Sequence, residues 1–571
     1  MTTYLAKADT ARPDGWWKSS VVYQVYPRSF ADSNGDGVGD IPGITSKLDY
    51  LSSLGVDVVW LSPVYSSPQD DNGYDISNYQ DIDPSFGTLA DLDALIAGLH
   101  QRGMKLVMDL VVNHTSDEHA WFQESRQPGS AKRDWYWWRP ARDGHEPGTD
   151  GAEPTNWEAA FSGSAWQYDE LSGEYFLHLF SRKQPDLNWE NPEVRAAVYE
   201  MMNWWVDRGI DGFRMDVINL ISKPAELTDG PAIPGRKYAP AFDAVGNGHR
   251  LHEFLNEMHE QVLAGKNLIT VGEMPGATVD LARMVTDPSR RELNMVFTFE
   301  HVSLDQLEGG AKWDLQHLPL PILKGNLSAW QTGLEEVGWN SLYWNNHDQP
   351  RAVSRFGDDS AEHRVNSAKT LGTVLHMLKG TPYVYQGEEI GMTNSHFTEI
   401  AHYRDLESVN YAAEALSLGQ LAEDIMLSLS AKSRDNARTP VQWDDTHQAG
   451  FTQGIPWLPV NPNYVTINAA AAAADPDSVF CHYQKLIKLR REHPVVVEGR
   501  YTLLLPDHEQ LFAYTRTLDD QTLLVVANCS SESAAVPDGL PDSEGADLLV
   551  STHGDAAGEL RPWESRVLLL H

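Results

Sequence analysis

The chain has 571 residues, 41% of them hydrophobic, with Gly 43, Pro 32, Trp 19 and Tyr 21, which is the profile of a folded protein built from two to four domains or from one barrel carrying insertions. Its 81 acidic residues against 44 basic ones give a net charge of −37, which excludes nucleic acid and anionic membranes as natural partners. No apolar run reaches the ~18–20 residues of a membrane span, the start MTTYLAKADTARPDGWW lacks the apolar core of a signal peptide, and only Cys481 and Cys529 are present, so the expectation is a cytoplasmic protein with no disulfide framework and no Cys-based metal site.

In chain order, eight short β-rich runs recur: VVYQVYP from Val21, VDVVWLSP from Val56, KLVMDLVVNH from Lys105, GFRMDVI from Gly212, LITVGE from Leu268, NMVFTFE from Asn294, SLYWNNHD from Ser341 and TPYVYQGEE from Thr381. Helical patterns such as ITSKLDYLSSLG from Ile44 and LADLDALIAGLHQRG from Leu89 separate most of them. That alternation predicts an α/β fold, a (β/α)8 TIM barrel. After the first run, DSNGDGVGD from Asp32 carries acidic or amide side chains at alternating positions, like the first half of an EF-hand loop, but it has Gly43 where the closing Glu belongs. A metal-free Asx/Gly turn is the other reading.

Roughly a hundred residues rich in Trp, Gly, Asp and Pro separate His114 from Gly212, more than a crossover helix requires, and predict an inserted subdomain over the strand ends. The Ala run at 469–474 reads as a solvent-facing helix or connector. Beyond Arg500 the pattern becomes short strands (YTLLL, LFAYTR, TLLVVAN, SRVLLL) between acidic and Gly/Pro turns, a small antiparallel β domain. The expected organisation is barrel over 1–114, inserted subdomain over 115–187, barrel again over 188–500 and β domain over 501–571.

The fourth run raises the chemical question. Alternation puts Phe213, Met215 and Val217 on one face and Arg214 with Asp216 on the other, and two charges in a buried strand are either a structural ion pair or part of a site. Polar residues also end neighbouring runs: Asn113 and His114, Glu273, then His347 and Asp348. Barrel strands carry catalytic residues at that end. Paired carboxylates such as Asp216 and Glu273 suit glycosidic cleavage, with Arg214 keeping Asp216 ionised and with Asp348, His114 and His347 available to sugar hydroxyls.

DLVVNH (Asp109 to His114), GFRMDV (Gly212 to Val217), VGE (Val271 to Glu273) and NNHD (Asn345 to Asp348) occur in that order and resemble the four signature regions of the α-amylase family of glycoside hydrolases. QPDLN (Gln184 to Asn188), GTPYVYQGEEIGM (Gly380 to Met392) and RDNARTPVQW (Arg434 to Trp443) look like its oligo-1,6-glucosidase and dextran glucosidase branch, over essentially the whole chain. The resemblance implies a retaining mechanism with Asp216 as nucleophile, Glu273 as general acid/base and Asp348 as transition-state stabiliser. It also implies that His114, Arg214 and His347 line the glucose subsite, that Asp71 and Arg438 grip the outer hydroxyls of the terminal glucose as a charge pair, and that Tyr74 stacks beneath it. An exo-acting α-glucosidase follows from that pocket. Val217, after the nucleophile, matches α-1,6 preference where Ala or Thr goes with α-1,4, and Pro275 matches enzymes of short isomalto-oligosaccharides. Lys312 and Glu407 match leaving-group contacts, and either could equally be surface charge. A structural Ca2+ or Mg2+ is implied at Asp32, Asn34, Asp36, the Val38 carbonyl and Asp40.

Other readings on the same scaffold are an α-1,4-preferring α-glucosidase, a transglucosylase or sucrose isomerase, and a non-catalytic relative. Val217 in place of Thr argues against the isomerase, and retention of Asp216, Glu273 and Asp348 argues against the non-catalytic relative. The expected partner is a small oligosaccharide, and the expected state a monomer.

Overall fold

The computed structural model describes residues 15–307, 312–395, 397–555 and 558–571; residues 1–14, on which most of the leader reading rests, lie outside them. Eight parallel strands run Val22–Val25, Val58–Leu61, Lys105–Leu110, Gly212–Met215, Ile269–Glu273, Met295–Phe297, Ser341–Leu342 and Thr381–Tyr385. Each falls inside one of the eight runs of the sequence. Numbered from one to eight, they pair in the order 6-5-4-3-2-1-8-7, and a parallel bridge between Val296 and Asn340 joins strand 6 to the start of strand 7, closing the barrel.

The alternation of side chains sorts two cores. Phe213 and Met215 face outward into the packing between strands and helices, whereas Val22, Val58, Trp60, Val107, Ile269, Val271, Met295, Phe297 and Tyr383 fill the interior. The covering helices are built as their sequences dictate: Leu89–Gln101 buries Leu92, Leu95, Ile96 and Leu99 at helical spacing behind a Thr88/Asp91 capping box. Helix Pro192–Arg208 starts on an Asn191 cap and stops at Gly209, whose φ of 110° only glycine adopts without strain.

Three excursions rise from the C-terminal ends of the strands. Between strands 3 and 4, Trp138–Arg139, Trp166–Asp169 and Glu174–Leu177 form a three-stranded antiparallel sheet around the buried Trp137, Trp157 and Trp166. After strand 4, Ala239–Pro240 pairs with Trp157–Glu158, so that loop packs on the inserted sheet. After strand 8 comes a helical hairpin, Leu406–Ser417 and Ala422–Lys432, which sequence reasoning did not anticipate. The C-terminal sheet has five antiparallel strands, one more than the sequence suggested, the extra one being Asp547–Ser551. Ala469–Ala474 is a short solvent-facing helix capped by Asn468. No helix among the described residues is long and apolar enough to cross a membrane.

Candidate active site

Strand register brings the charges together. Arg214 of strand 4 lies beside Asp109 of strand 3 and Val271 of strand 5, with its guanidinium 5.1 Å from the Trp60 ring and 5.9 Å from Tyr74. One Nη1 reaches Asp109 and Asp216, each at 2.6 Å, and Nη2 reaches Glu273 at 2.7 Å. Arg214 is 1% exposed and Asp109 0%; burying these charges is tolerable only because each is paired. The opening alternatives therefore coincide: the arginine is a structural ion pair, and two of its three partners are the carboxylates of the site.

Val217 departs from the expected alternation. Strand 4 ends at Met215, and Val217 turns into the left-handed region at φ 34° and ψ 42°, strained for a β-branched residue. Its side chain consequently leaves the outer face and joins the apolar cluster of the inserted subdomain. Its N–H donates to Glu273 Oε2 at 3.0 Å.

Burial pushes the Glu273 carboxyl up to about 7, with Asp216 and Asp348 adding to the rise and Arg214 opposing it. Burial likewise raises Asp216, to about 6, despite the pull of Arg214. Asp348 goes the other way: burial opposes ionisation, but His347, Arg434 and Arg438 outweigh it and hold the carboxyl well below its ordinary value. The site thus combines one permanently ionised carboxylate with a pair that share charge near neutrality.

His347 is sandwiched between Tyr74, stacked at 5.2 Å, and Tyr26, at 6.0 Å. Gln24 Nε2 lies 2.7 Å from its Nδ1, so Nε2–H is the donor to Asp348 Oδ2 at 3.1 Å. The Tyr74 hydroxyl donates to Asp109 Oδ2 at 3.2 Å. His114 lies 3.2 Å from the Tyr74 carbonyl and from Gln184 Nε2, and burial lowers its pKa to about 4, so it is neutral. Behind it, the fully buried Lys223 ammonium contacts Asn113 Oδ1, the Leu220 carbonyl and Asp186 Oδ2, each at 2.8 Å.

The charge pair expected at the chain-end pocket is differently composed. Asp71 accepts from Gln184 Nε2 at 3.1 Å, and the guanidinium within ion-pair distance of it is Arg434, at 3.6 Å. Arg438 lies behind, on the His347 carbonyl at 2.9 Å, Asp348 at 2.7 Å and Asp405 at 3.2 Å. Lys312 and Glu407 form an ion pair, and Glu407 stands 3.6 Å from Arg434. The Pro275 carbonyl accepts from Asn219 at 2.8 Å. Sequence reasoning missed Asp109 as a charge partner, Lys223, Asp405 and Arg434. One signal was available for the last: Arg434 and Arg438 are four apart in RDNAR, the spacing that puts two side chains on one helix face, and a short helix does form there, Asp435–Arg438.

In the loop from Asp32, side chains clasp backbone amides. Asp32 accepts from the N–H of Asn34, Gly35 and Gly37, Asn34 from Asp36 and Asp36 from Val38. Asp40 instead caps helix Ile41–Ser46 through Gly43 and accepts from Ser33. Among the described residues no group of three His, Cys, Asp or Glu side chains converges as metal ligands. The oxygens of Asp32, Asn34 and Asp36 and the Val38 carbonyl retain acceptor capacity and are the hard donors that suit Ca2+ or Mg2+.

With this geometry in hand, comparison with known proteins is informative. The family description "Alpha amylase, catalytic domain" matches residues 24–499. The chain is similar to the oligo-1,6-glucosidase of Halalkalibacterium halodurans, 58% identical with 97% of this chain and 99% of that protein covered, and to the oligo-1,6-glucosidase of Parageobacillus thermoglucosidasius, 58% identical with 97% and 98% covered. Among solved structures, the trehalose-6-phosphate hydrolase of Bacillus licheniformis matches with a TM-score of 0.90 at 48% identity, covering 97% of this chain and 99% of that one.

Proposed function

The chain belongs to the α-amylase family of glycoside hydrolases, and from that premise we propose that it is an exo-acting retaining α-glucosidase that hydrolyses α-1,6 links at the non-reducing ends of short gluco-oligosaccharides. The observation that carries this reading is the single guanidinium of Arg214 spanning Asp216 and Glu273, beside the ionised Asp348. Carboxylates that close favour direct attack over an interposed water, which needs ~6.5–9.5 Å.

An Asp216 oxygen attacks the anomeric carbon as Glu273 delivers its proton to the glycosidic oxygen, and the leaving sugar departs with that proton. Glu273, now ionised, takes a proton from water, whose oxygen displaces Asp216 from the glucosyl carbon and regenerates both groups. Asp348 stabilises the positive charge that develops on the ring in both steps, and neutral His114 and His347 hold hydroxyls. Val217, the residue after the nucleophile, supports the α-1,6 choice, and its backbone N–H on Glu273 keeps it next to the reacting groups; one such side chain is worth ~1–3 kcal/mol of discrimination. The names of both glucosidase relatives agree with it. Neutral sugars are favoured over phosphorylated ones because the cations nearest the pocket, Lys312 and Arg434, are each ion-paired to a carboxylate.

We also read the Asp32 loop as a structural Ca2+ or Mg2+ site held by Asp32, Asn34, Asp36 and the Val38 carbonyl, and the protein as a cytoplasmic monomer, in keeping with its free Cys481 and Cys529. Rates on isomaltose and maltose, with Asp216→Asn as control, test the function. Isomaltose should be the better substrate, with glucose released. A strong preference for maltose, or activity surviving in Asp216→Asn, removes the reading.

A further inference from the structure

The turn that follows Asp216 meets the loop that follows Glu273 at two points. Strand 4 ends at Met215, and Val217, at φ 34°, bends the chain into the single turn Ile218–Leu220. The Val217 N–H donates to Glu273 Oε2 at 3.0 Å, and two residues on, the fully buried Asn219 donates from Nδ2 to the Pro275 carbonyl at 2.8 Å. A carbonyl can only accept, so the amide nitrogen is the atom that faces Pro275. The same nitrogen donates to Asn247 Oδ1 at 2.8 Å, and the Asn219 carbonyl accepts from the Asn247 N–H at 2.9 Å. The Asn219 Oδ1 is buried without a partner. A buried amide with both hydrogens spent and its oxygen idle acts through what it donates.

The loop after strand 5 is pinned at its start by the Met274 N–H on the Phe297 carbonyl at 3.1 Å and closes on itself through the Ala277 N–H on the Met274 carbonyl at 3.1 Å. Pro275, between them, has no N–H to give, and Gly276, at φ +69°, lies so close to Phe242 that a Cβ there would meet the ring at 2.5 Å. Asn219 supplies this loop with a bond from the strand 4 side. The Glu273 carboxyl itself rests on Arg214 Nη2 at 2.7 Å, with Asp216, Asp348, Asp109 and Tyr343 as the other titratable groups that face it. Those groups set its charge, whereas the contact between the two loops sets where it stands. We propose that Asn219 is a positioning residue for the general acid: by clasping the turn after Asp216 to the loop after Glu273, it keeps the Val217 N–H on the acid and the acid on the glycosidic oxygen. The assignment rests on the α-glucosidase reading above. Because the Val217 N–H favours the ionised carboxylate, releasing the clasp has a signed consequence: Glu273 should keep its proton to higher pH.

The test measures kcat/KM, which reports the acid-assisted first step, on isomaltose and on p-nitrophenyl α-glucoside, whose leaving group departs without a proton. Full-length wild type, Asn219→Leu and Asn247→Gly are compared. Leucine keeps the volume and removes the donors. Glycine at 247 accepts the left-handed backbone there, φ 55°, and leaves the bond to Pro275 in place. Asn219→Leu should lose about tenfold more on isomaltose than on the nitrophenyl substrate, as a displaced catalytic group does, and its alkaline limb on isomaltose should move to higher pH. Asn247→Gly should keep the wild-type ratio. Equal losses on the two substrates in Asn219→Leu, or an alkaline limb that stays in place, would mean that the residue only supports the fold and overturns the proposal, as would the same change of ratio in Asn247→Gly. If Asn219→Leu does not fold, Asn219→Ala is read by the same criteria, and failure of both to fold also overturns it. Should the wild type prefer maltose, which defeats the α-1,6 reading, maltose replaces isomaltose and the assignment is still decided. Wild type that cleaves none of these substrates defeats the α-glucosidase reading and this assignment with it, whereas an active wild type with an unchanged ratio in the Asn219 variants defeats the assignment alone.

Discussion

Glu273 and Asp216 divide the labour by environment rather than by residue type. Both are buried against the same guanidinium, yet the carboxyls titrate at about 7 and about 6, so the pair releases its two protons in separate steps. Catalysis needs Asp216 ionised and Glu273 protonated, and that form is lost as pH falls through the lower value or rises through the upper. The kcat/KM profile on isomaltose should be a bell centred between pH 6 and 7. Glu273→Gln should remove the alkaline limb and cost about 10²–10⁴-fold on isomaltose, but much less on p-nitrophenyl α-glucoside, whose leaving group departs without a proton. Equal losses on the two substrates would deny Glu273 the role of acid.

Between elements, one buried cation fastens the inserted subdomain to the barrel mouth. Lys223, just after strand 4, is 0% exposed and bonds Asp186 of the insertion and Asn113 at the end of strand 3. Removing the ammonium leaves Asp186 buried and unpaired, and breaking a buried pair in this way costs about 3–5 kcal/mol. Lys223→Met should therefore lower the melting temperature by several degrees. It should also raise KM, because Asn113 Nδ2 sits 3.2 Å from His114 Nδ1 and Asp186 shares that amide at 3.1 Å. A variant with wild-type melting and KM would show that the insertion is held by its apolar contacts alone.

Across the whole molecule, the Asp32 loop ties the first barrel loop to a segment more than four hundred positions later. Thr452 Oγ1 donates to Asp32, Asp32 N–H to the Phe451 carbonyl at 3.0 Å and Trp457 N–H to the Gly37 carbonyl at 3.0 Å. Gly37 has φ +93°, and a Cβ there would meet the Ile455 carbonyl oxygen at 1.8 Å, which is why glycine stands at the turn. A cation binding only the folded loop adds stability by mass action, about 2.7 kcal/mol at a hundredfold excess over its dissociation constant. Chelation should lower the melting temperature by a few degrees and added Ca2+ should restore it; indifference to both would discard the proposed metal.

Periodicity in the sequence by itself determined the eight strands, their inward and outward faces and the antiparallel β domain, because alternation and helical spacing are local properties that burial enforces along each segment. Strand-end positions alone also marked Arg214, Asp216, Glu273, His347 and Asp348 as neighbours, since a closed parallel barrel brings those ends together. Only the tertiary structure decided which charges pair. That Asp71 faces Arg434, that Val217 leaves its strand through a left-handed turn, and that Lys223 lies under His114 depend on how three excursions from different strands fold over one mouth. Ion pairing is set by distances of a few ångströms between segments hundreds of residues apart, and no local pattern encodes those distances.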